Sequence, residues 1–370
     1  MKAVVLVGGE GTRLRPVTLT TPKPLLPIAN QAFLERQLRW LARHGVDEVV
    51  LSLGYRADAF EKHFPDGRFD DVRLHYKVED EPLGTAGAIK FAADGIDERF
   101  VVWNGDVLTA LDLTAMVAFH DARRAEATIS LYEVEDPSAF GVVPTRDDGR
   151  VIAFVEKPPA DRAPTKWINA GTYILEPGFL DRIPARLNVS VERETFPRML
   201  ESDGALFGYK SDTYWLDIGT PQKYLDAQAD VLAGHVGLPP TAEAKEHAPG
   251  VWVQGHPVFD GAAVEGPALL GDGSVLAPGS IVAQSVIGPA VHVGRDCRIE
   301  RSVLLADARL GDGVVVTDAV VGPSASVGAG AVLSDLTLIG ADAHVAAGAR
   351  LSGARVASNP MGESTSSGGI

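Results

Sequence analysis

The first 232 residues alternate between short apolar runs and longer segments that carry apolar residues with helical periodicity. The short runs have the length and the β-branched content of buried strands, and the longer segments place apolar side chains on one helical face. This alternation is typical of parallel strands joined by crossover helices. It predicts strands at 2–7, 48–53, 72–78, 100–103, 128–133 and 168–175, a hairpin at 141–155, and helices at 33–43, 85–93, 113–124, 192–200 and 221–233. We therefore predict an α/β domain of the doubly wound, Rossmann-like type over residues 1–232.

A different pattern begins near residue 257, where small aliphatic residues recur about every sixth position. They include Val258, Val264, Leu270, Leu276, Ile287, Val293, Ile299, Leu310, Val316, Val321, Val327, Leu333, Ile339, Val345 and Leu351. One inward aliphatic per short unit is how a solenoid buries a continuous core. The pattern resembles the left-handed parallel β-helix of hexapeptide-repeat proteins. The well-kept aliphatic period disfavours the alternative of a disordered Gly/Ala-rich segment. We predict a linker at 233–256, the β-helix at 257–356 and a disordered tail at 357–370.

Composition and charge narrow the class of protein. The formal net charge of −15 argues against a general nucleic-acid binder, which needs a basic face. No apolar run reaches the roughly 18 residues of a membrane span, and the chain enters a strand directly, without the pattern of a signal peptide. Cys297 is the single cysteine, so the chain has no internal disulfide. We expect a cytoplasmic protein without a nucleic-acid or membrane partner.

The candidate chemistry starts where the first strand ends, at Val7-Gly8-Gly9-Glu10-Gly11-Thr12-Arg13. Glycine N–H groups can approach phosphate oxygens closely because no Cβ intervenes. Arg13, Arg15 and Lys23 add three cations within a short stretch. The spacing matches neither the dinucleotide fingerprint nor the Walker loop. The loop therefore indicates either a polyphosphate site or an ordinary tight turn with surface charge nearby.

Four further segments place polar residues where strands end or a helix begins. Asp106 follows a buried strand, and Asp217 precedes the Pro221 helix; each carboxylate suits Mg²⁺ or, alternatively, a turn. Gly84-Thr85 opens a helix, where Gly84 permits close approach and Thr85 can cap. In Glu156-Lys157, the carboxylate can accept a hydrogen bond from a sugar hydroxyl and the lysine can bind a phosphate. Alternatively, the two residues form a surface ion pair. In the fourth segment, Asn169 offers an amide to a sugar hydroxyl, and Gly171 permits close packing.

Taken together and in this order, these motifs resemble those of the sugar-1-phosphate nucleotidylyltransferases, the NDP-sugar pyrophosphorylases. The resemblance covers nearly the entire chain, and the segments 84–88, 169–173 and 189–197 are most similar to the mannose-1-phosphate guanylyltransferases in that family. It implies a metal site at Asp106 and Asp217. It also implies a catalytic set of Arg13, Lys23, Asp106, Lys157 and Asp217, a nucleotide set of Val7, Gly8, Gly9, Gly11, Thr12, Gly84 and Thr85, and a sugar-phosphate set of Glu156, Lys157, Asn169 and Gly171.

The function that this resemblance implies is Mg²⁺-dependent transfer of a nucleotidyl group from GTP to mannose 1-phosphate, giving GDP-mannose and pyrophosphate. Three alternatives stay open. They are adenylyl, uridylyl or thymidylyl transfer to glucose 1-phosphate, a non-catalytic sensor of sugar nucleotides, and a second, acyltransferase activity in the β-helix based on His292 or His344. We expect the β-helix to bury surface and to mediate contacts in a homo-oligomer.

Overall fold

The computed structural model describes residues 1–54, 56–202, 204–237 and 239–358. The chain forms two compact units. The first unit holds Met1–Gly9 and Leu34–Asp217, and the second holds Glu10–Phe33 and the chain from Ile218 onward. The stretch that carries Arg13 and Lys23 therefore folds with the C-terminal half of the chain.

The strands up to Asp217 are numbered in chain order. They are β1 (Lys2–Leu6), β2 (Pro27–Ile28), β3 (Gln31–Ala32), β4 (Glu48–Leu53), β5 (Arg68–Phe69), β6 (Val72–Val78), β7 (Phe100–Asn104), β8 (Val107–Thr109), β9 (Ala127–Glu133), β10 (Gly141–Val142), β11 (Val155–Glu156), β12 (Trp167–Leu175), β13 (Leu206–Ser211) and β14 (Trp215–Asp217). The helices are α1 (Phe33–Arg43), α2 (Ala57–His63), α3 (Gly84–Ala92), α4 (Leu113–Arg123), α5 (Phe196–Glu201) and α6 (Pro221–Leu232). A π-helical turn, Val191–Thr195, precedes α5.

The first unit is built on a ten-stranded mixed sheet with the order β11-β10-β12-β7-β1-β4-β6-β5, to which β9 and β13 are joined through β12. Strands β7, β1, β4 and β6 are parallel, as the alternating pattern predicts. Strand β12 runs antiparallel to both β7 and β9. It follows the β10–β11 hairpin and not a crossover helix, and a hairpin reverses the chain direction. The sheet and α3 share one apolar core, which includes Val4, Ile89, Val102 and Phe196.

The second unit contains a parallel β-helix. Its strands are β15 (Lys245–Ala248), β16 (Val251–Val253), β17 (Ala263–Glu265), β18 (Ala268–Leu270), β19 (Val275–Leu276), β20 (Ile281–Ala283), β21 (Val286–Ile287), β22 (His292–Val293), β23 (Arg298–Glu300), β24 (Val303–Leu304), β25 (Arg309–Leu310), β26 (Val315–Thr317), β27 (Val320–Val321), β28 (Ser326–Val327), β29 (Val332–Ser334), β30 (Leu338–Ile339), β31 (His344–Val345), β32 (Arg350–Ser352) and β33 (Arg355–Val356). They form three sheets, and all the pairs within them are parallel except that of β15 with β16, which is antiparallel. The sheet β15-β16-β18-β21-β24-β27-β30-β33 is called the long sheet below.

The repeat of this β-helix is shorter than three hexads in most coils. Inward residues Leu270, Leu276, Val282 and Ile287 are spaced by six, six and five residues, so Ile287 lies over Leu270 after seventeen residues. The five-residue spacing falls at a tight corner where Gln284 adopts a left-handed backbone conformation, with φ 51°. Val258 was expected in the core but is 53% exposed, and the neighbouring Phe259 packs inward in its place. The left-handed sense of the coil stays a prediction.

The limits of the predicted domains differ from those of the observed units. Strands β15 and β16 lie inside the predicted linker at 233–256, because Val251 and its neighbours pair with β18 as the first parallel step of the long sheet. The predicted disordered tail falls, from residue 359, outside the described residues. In the described part of the chain, no helix is long and apolar enough to cross a membrane.

Candidate active site

The glycine loop begins at the carboxyl end of β1. Val7 is buried, and its N–H donates to Ser52 O at 3.0 Å. Its side chain therefore packs in the core, and its N–H extends the hydrogen bonding of the sheet. A Cβ on Gly8 would lie 3.2 Å from the backbone nitrogen of Gly54, which follows β4. A Cβ on Gly9 would meet nothing within 4 Å. Gly8 therefore favours the close approach of two strand ends, while Gly9 leaves room for a ligand.

The remaining loop residues belong to the second unit. Gly11 adopts a left-handed conformation, with φ 62°, and a Cβ there would lie 3.1 Å from Lys23 Cβ. Thr18 closes the turn by donating its hydroxyl to Gly11 O at 2.9 Å. Lys23 is only 9% exposed, whereas Thr12 and Arg13 lie on the surface of a short 3₁₀ turn, Thr12–Leu14. Gly11 and Lys23 are thus packed side by side in this unit.

The two candidate metal ligands lie next to each other in the first unit. Gly105 precedes Asp106, and its N–H donates to Leu6 O at 2.9 Å; a Cβ there would lie 2.5 Å from that oxygen. After Asp106 the chain enters β8, which pairs antiparallel with β14 so that Asp217 stands opposite Val107. Both carboxylates are half-buried. The strand register therefore brings together two residues more than a hundred positions apart in the sequence.

The start of α3 does not have the geometry that the sequence suggested. The residue at the helix cap is Leu83, and Thr85 does not cap the helix. Thr85 Oγ1 instead donates to Glu192 Oε2 at 2.7 Å and accepts from the Val191 N–H at 2.9 Å. A Cβ on Gly84 would lie 2.6 Å from Val189 O, which also accepts the Ala86 N–H at 2.9 Å. The N-terminus of α3 was expected to face a ligand, but it contacts the segment 189–192.

The candidate sugar residues lie on a bulge in β12. The pairing of β12 with β9 shifts register between Asn169 and Tyr173. Gly171 has φ 77°, and a Cβ there would lie 2.8 Å from Asn104 Nδ2. Asn169 Oδ1 accepts the Gly171 N–H at 3.0 Å, and its Nδ2 donates to Tyr173 Oη at 2.8 Å. The bulge therefore fixes the amide of Asn169, which sequence analysis selected, at a distorted point of the strand.

Glu192 is a member of this cluster that sequence analysis did not select. Its carboxylate accepts hydrogen bonds from Thr85 Oγ1, from Ser190 Oγ at 2.8 Å and from Tyr173 Oη at 3.4 Å. Burial is the main reason that the pKa of Tyr173 is raised well above its ordinary value, so the phenol keeps its proton and donates. The sequence signal for Glu192 is its position inside the segment 189–197, which resembles the guanylyltransferases.

Glu156 and Lys157 are joined by a second cation. Lys157 Nζ lies 3.8 Å from Glu156 Oε1, and Arg193 Nη2 lies 3.6 Å from the same oxygen. Lys157 also has a positive φ, 47°, which turns the chain sharply after β11. Sequence analysis missed Arg193, which comes from the π turn before α5. Two exposed cations around one carboxylate leave a net positive charge, which suits a phosphate group.

An aromatic group holds β14 against the bulge. Trp215 Nε1 donates to Ala170 O at 2.8 Å, and the indole stacks on Tyr132 with ring centroids 5.4 Å apart. Phe140 packs against the same indole at 5.6 Å. Because Trp215 and Asp217 share one short strand, these contacts fix the strand that bears the second carboxylate.

The two carboxylates, just after β7 and at the end of β14, match the ligands of one kind of metal ion. No group of three or more His, Cys, Asp or Glu residues that could hold a metal occurs among the described residues. Mg²⁺ does not require such a group, because it binds one or two carboxylates and fills its other positions with water and substrate phosphates. Asp106 and Asp217 therefore fit Mg²⁺ in the presence of a phosphorylated substrate.

Comparison with known proteins identifies the family. Residues 2–234 match the nucleotidyl transferase family, and residues 264–365 match the GMPPB C-terminal domain. The chain belongs to the nucleotidyl transferase family. It is similar to a mannose-1-phosphate guanylyltransferase of Mycobacterium tuberculosis, with 41% identity over 81% of this chain and 83% of the relative. It is also similar to a UTP–glucose-1-phosphate uridylyltransferase of Synechocystis, with 34% identity over 85% of each chain.

A solved structure has a related fold. The crystal structure of HddC from Yersinia pseudotuberculosis complexed with GMP-PN matches with a TM-score of 0.53 and 33% identity. The match covers 61% of this chain and 97% of that chain. The expected class, a sugar-1-phosphate nucleotidylyltransferase with a nucleotidyltransferase domain and a β-helix, is therefore confirmed. Nucleotidyltransferases of this family typically use Mg²⁺.

Proposed function

We propose that this nucleotidyltransferase transfers the guanylyl group of GTP to mannose 1-phosphate, forming GDP-mannose and releasing pyrophosphate. The pairing of β8 with β14, which sets Asp217 opposite Val107 and so beside Asp106, is the observation that carries the proposal. These carboxylates belong to the same unit as the Asn169 bulge and the Glu156–Lys157 pair. A likeness to the Mycobacterium tuberculosis enzyme over four fifths of the chain supports GTP and mannose 1-phosphate as the substrates.

The reaction needs alignment and charge neutralisation more than acid–base catalysis. A phosphate oxygen of the sugar 1-phosphate attacks the α-phosphorus, a new O–P bond forms, and pyrophosphate leaves with the electron pair of the broken P–O bond. The attacking oxygen is already anionic, so no proton has to move. Lys157 would hold the attacking phosphate, and Arg13 and Lys23 would hold the departing pyrophosphate.

The other residues of the proposed site bind and orient the substrates. Gly8, Gly9, Gly11 and Thr12 would offer backbone groups to the nucleotide phosphates. Asn169, Gly171 and Glu156 would bind the sugar. Gly84 and Thr85 would act indirectly, because their contacts fix the segment that carries Glu192. Mg²⁺ at Asp106 and Asp217 would neutralise charge on the transferred phosphoryl group.

The uridylyltransferase of Synechocystis supports one other candidate, UTP with glucose 1-phosphate. Pyrophosphate release from purified protein and Mg²⁺, measured over four nucleotides and the common sugar 1-phosphates, separates the two. The proposal predicts a maximum at GTP with mannose 1-phosphate. A maximum at UTP with glucose 1-phosphate would replace the substrates and keep the reaction. Absence of turnover across the grid, with a sugar nucleotide still bound, would make the protein a sensor.

The metal assignment has its own test. Asp106→Asn keeps the size of the side chain and removes its charge, so we expect turnover to fall at least about a hundredfold, in the range typical for loss of one electrostatic contact to a transition state. Far-ultraviolet circular dichroism of the variant should match the wild type. Wild-type turnover in Asp106→Asn would refute the assignment of this carboxylate to the metal.

A further inference from the structure

The stretch with Arg13 and Lys23 ends in a small hairpin that the proposed chemistry does not use. Strands β2 and β3 pair antiparallel, and their turn consists of Ala29 and Asn30. Both residues have positive φ, 46° and 60°. A left-handed conformation is unfavourable for a residue with a Cβ such as alanine, so the surrounding structure must hold Ala29 in place.

Two buried side chains of α6 hold this hairpin. Gln228 Oε1 accepts the Ala29 N–H at 2.6 Å, and Gln228 Nε2 donates to Pro27 O at 3.0 Å. Tyr224 Oη donates to the same Pro27 carbonyl at 2.6 Å. Gln228 is 4% exposed and Tyr224 2% exposed. The amide of Gln228 thus holds the hairpin with both its donor and its acceptor, one turn of α6 away from the phenol of Tyr224.

The same stretch also rests on the long sheet of the β-helix. Asn30 Nδ2 donates to Ile287 O of β21 at 3.0 Å. Near the other end of the stretch, Pro16 lies against Gly340, which follows β30; a Cβ on Gly340 would be 3.1 Å from Pro16 Cβ. Strands β21 and β30 are separated by three steps of the long sheet, or about 14 Å at the usual strand spacing. The stretch therefore follows the sheet across several coils.

Lys23 is directly connected to these anchors. It opens the 3₁₀ turn Lys23–Leu25, and its carbonyl accepts the Leu26 N–H at 3.1 Å. The carbonyl of Leu26 in turn accepts the Phe33 N–H at 3.0 Å, which closes the base of the hairpin. Any shift of the hairpin on α6 is passed through this short, proline-containing turn to Lys23 and to Gly11, which packs against it.

We infer that α6 and the long sheet are a scaffold for the pyrophosphate-binding segment, and that Gln228 is a positioning residue for Lys23. The inference rests on the proposed function only in taking Lys23 as a pyrophosphate ligand. This arrangement gives the β-helix a part in catalysis. The segment that carries Arg13 and Lys23, the cations that neutralise the leaving group, is held by the β-helix and by α6, which precedes it in the chain. It also explains why Tyr224 and Gln228 are buried with their polar atoms bonded to the hairpin backbone.

The test uses Gln228→Met, which keeps the volume of the side chain and removes both hydrogen bonds. Gln222→Met is the matched control, because Gln222 is exposed on the same helix and its side chain donates to Asp226 Oδ1 at 2.8 Å. Full-length variants are assayed in the reverse direction, with pyrophosphate and the NDP-sugar that the wild type makes fastest. In Gln228→Met we expect KM for pyrophosphate to rise at least tenfold and KM for the NDP-sugar to change less than twofold. Gln222→Met should match the wild type.

A loss of general stability would lower kcat, or the fraction of active enzyme, without moving the two KM values apart. Equal KM values in Gln228→Met and Gln222→Met would therefore overturn the inference. Should Gln228→Met fail to fold, Tyr224→Phe removes one bond to the same carbonyl, and an unchanged KM for pyrophosphate in that variant would have the same meaning. Lys23→Ala separates the two proposals: if it leaves KM for pyrophosphate unchanged, the role of Lys23 in the proposed function fails instead.

Discussion

The hydroxyl of Thr85 provides the sharpest test of how this site is built. The family resemblance assigns Thr85 to the nucleotide, whereas the structure bonds its hydroxyl to Glu192 and to the Val191 N–H. Thr85→Val keeps the shape of the side chain and deletes both hydrogen bonds. Tyr173 and Ser190 still donate to the Glu192 carboxylate, so the carboxylate keeps part of its hydrogen bonding.

The expected loss can be worked out from these contacts. One deleted bond has a carboxylate acceptor, and the other serves a backbone N–H of a buried residue. Losing such a pair at a half-buried site costs about 1–3 kcal/mol. Urea unfolding followed by tryptophan fluorescence measures this loss well, because Trp40, Trp103, Trp167 and Trp215 lie in the first unit, and only Trp252 lies in the second.

Thr114→Val is the control for the chemistry of the substitution. Thr114 is exposed on α4, where its hydroxyl lies 2.8 Å from His44 Nδ1, and its replacement should change the free energy of unfolding by less than about 0.5 kcal/mol. We expect Thr85→Val to raise KM for the sugar phosphate, because Glu192 loses a donor and Glu192 binds Tyr173, which in turn holds the amide of Asn169. KM for the nucleotide should stay within about twofold. Unchanged stability together with a tenfold higher KM for the nucleotide would refute this reasoning and return Thr85 to direct nucleotide contact.

Two further predictions concern the first unit. Gly171→Ala places a Cβ within 3.1 Å of three Asn104 side-chain atoms at φ 77°. It should therefore lower the free energy of unfolding by about 1–3 kcal/mol and raise KM for the sugar phosphate. Gly178→Ala is the control, because a Cβ there meets nothing within 4 Å, and equal KM values in the two variants would contradict the role of the bulge. His120 is buried between Thr128 Oγ1 at 2.8 Å and Glu176 Oε1 at 3.2 Å, and burial lowers its pKa below the ordinary 6.5. The unfolded chain therefore binds a proton more readily than the folded chain, so the free energy of unfolding should decline as pH falls below about 6.5. Urea unfolding at pH 7.5 and 5.5 should show a weaker decline in His120→Gln than in the wild type. The same pH dependence in both proteins would contradict this role of His120.

Much of the architecture could be predicted from local pattern. Strands β4 and β6 and helix α1 have the predicted limits, and β1, β7, β9, β12 and α4 differ by one residue at one end. The helix predicted at 192–200 is a π turn up to Thr195 and α-helical only from Phe196, and α2, β5, β8, β13 and β14 were not predicted. The hairpin around Asp147-Asp148-Gly149 also forms, with β10 paired to β11. These elements depend on burial periodicity and turn residues, which are properties of neighbouring positions. The polar residues at strand ends could be selected for the same reason, since parallel strands deliver their carboxyl ends to one edge of a sheet.

The partners of those residues could not be read from spacing. Glu192 and Arg193 join the site because a π turn places Glu192 next to Tyr173 and Arg193 next to Glu156. The hydrophobic periodicity of the sequence does not predict these contacts. Threonine is a residue type that often caps helices, so the sequence suggested Thr85 as the cap. Leu83 occupies the cap position because Gly84 approaches the backbone of Val189. The five-residue corner of the β-helix shortened a repeat that the aliphatic residues alone suggested was six.

The sequence by itself determined the class of each segment, the presence of a solenoid after the α/β region, and the set of residues able to bind phosphate, sugar and metal. These follow from side-chain burial and residue chemistry, which act within a few positions along the chain. Only the tertiary structure decided that residues 10–33 fold with the C-terminal half, and that β12 runs antiparallel. Such choices depend on contacts like that of Gln228 with Ala29, which join positions 199 residues apart and leave no local pattern.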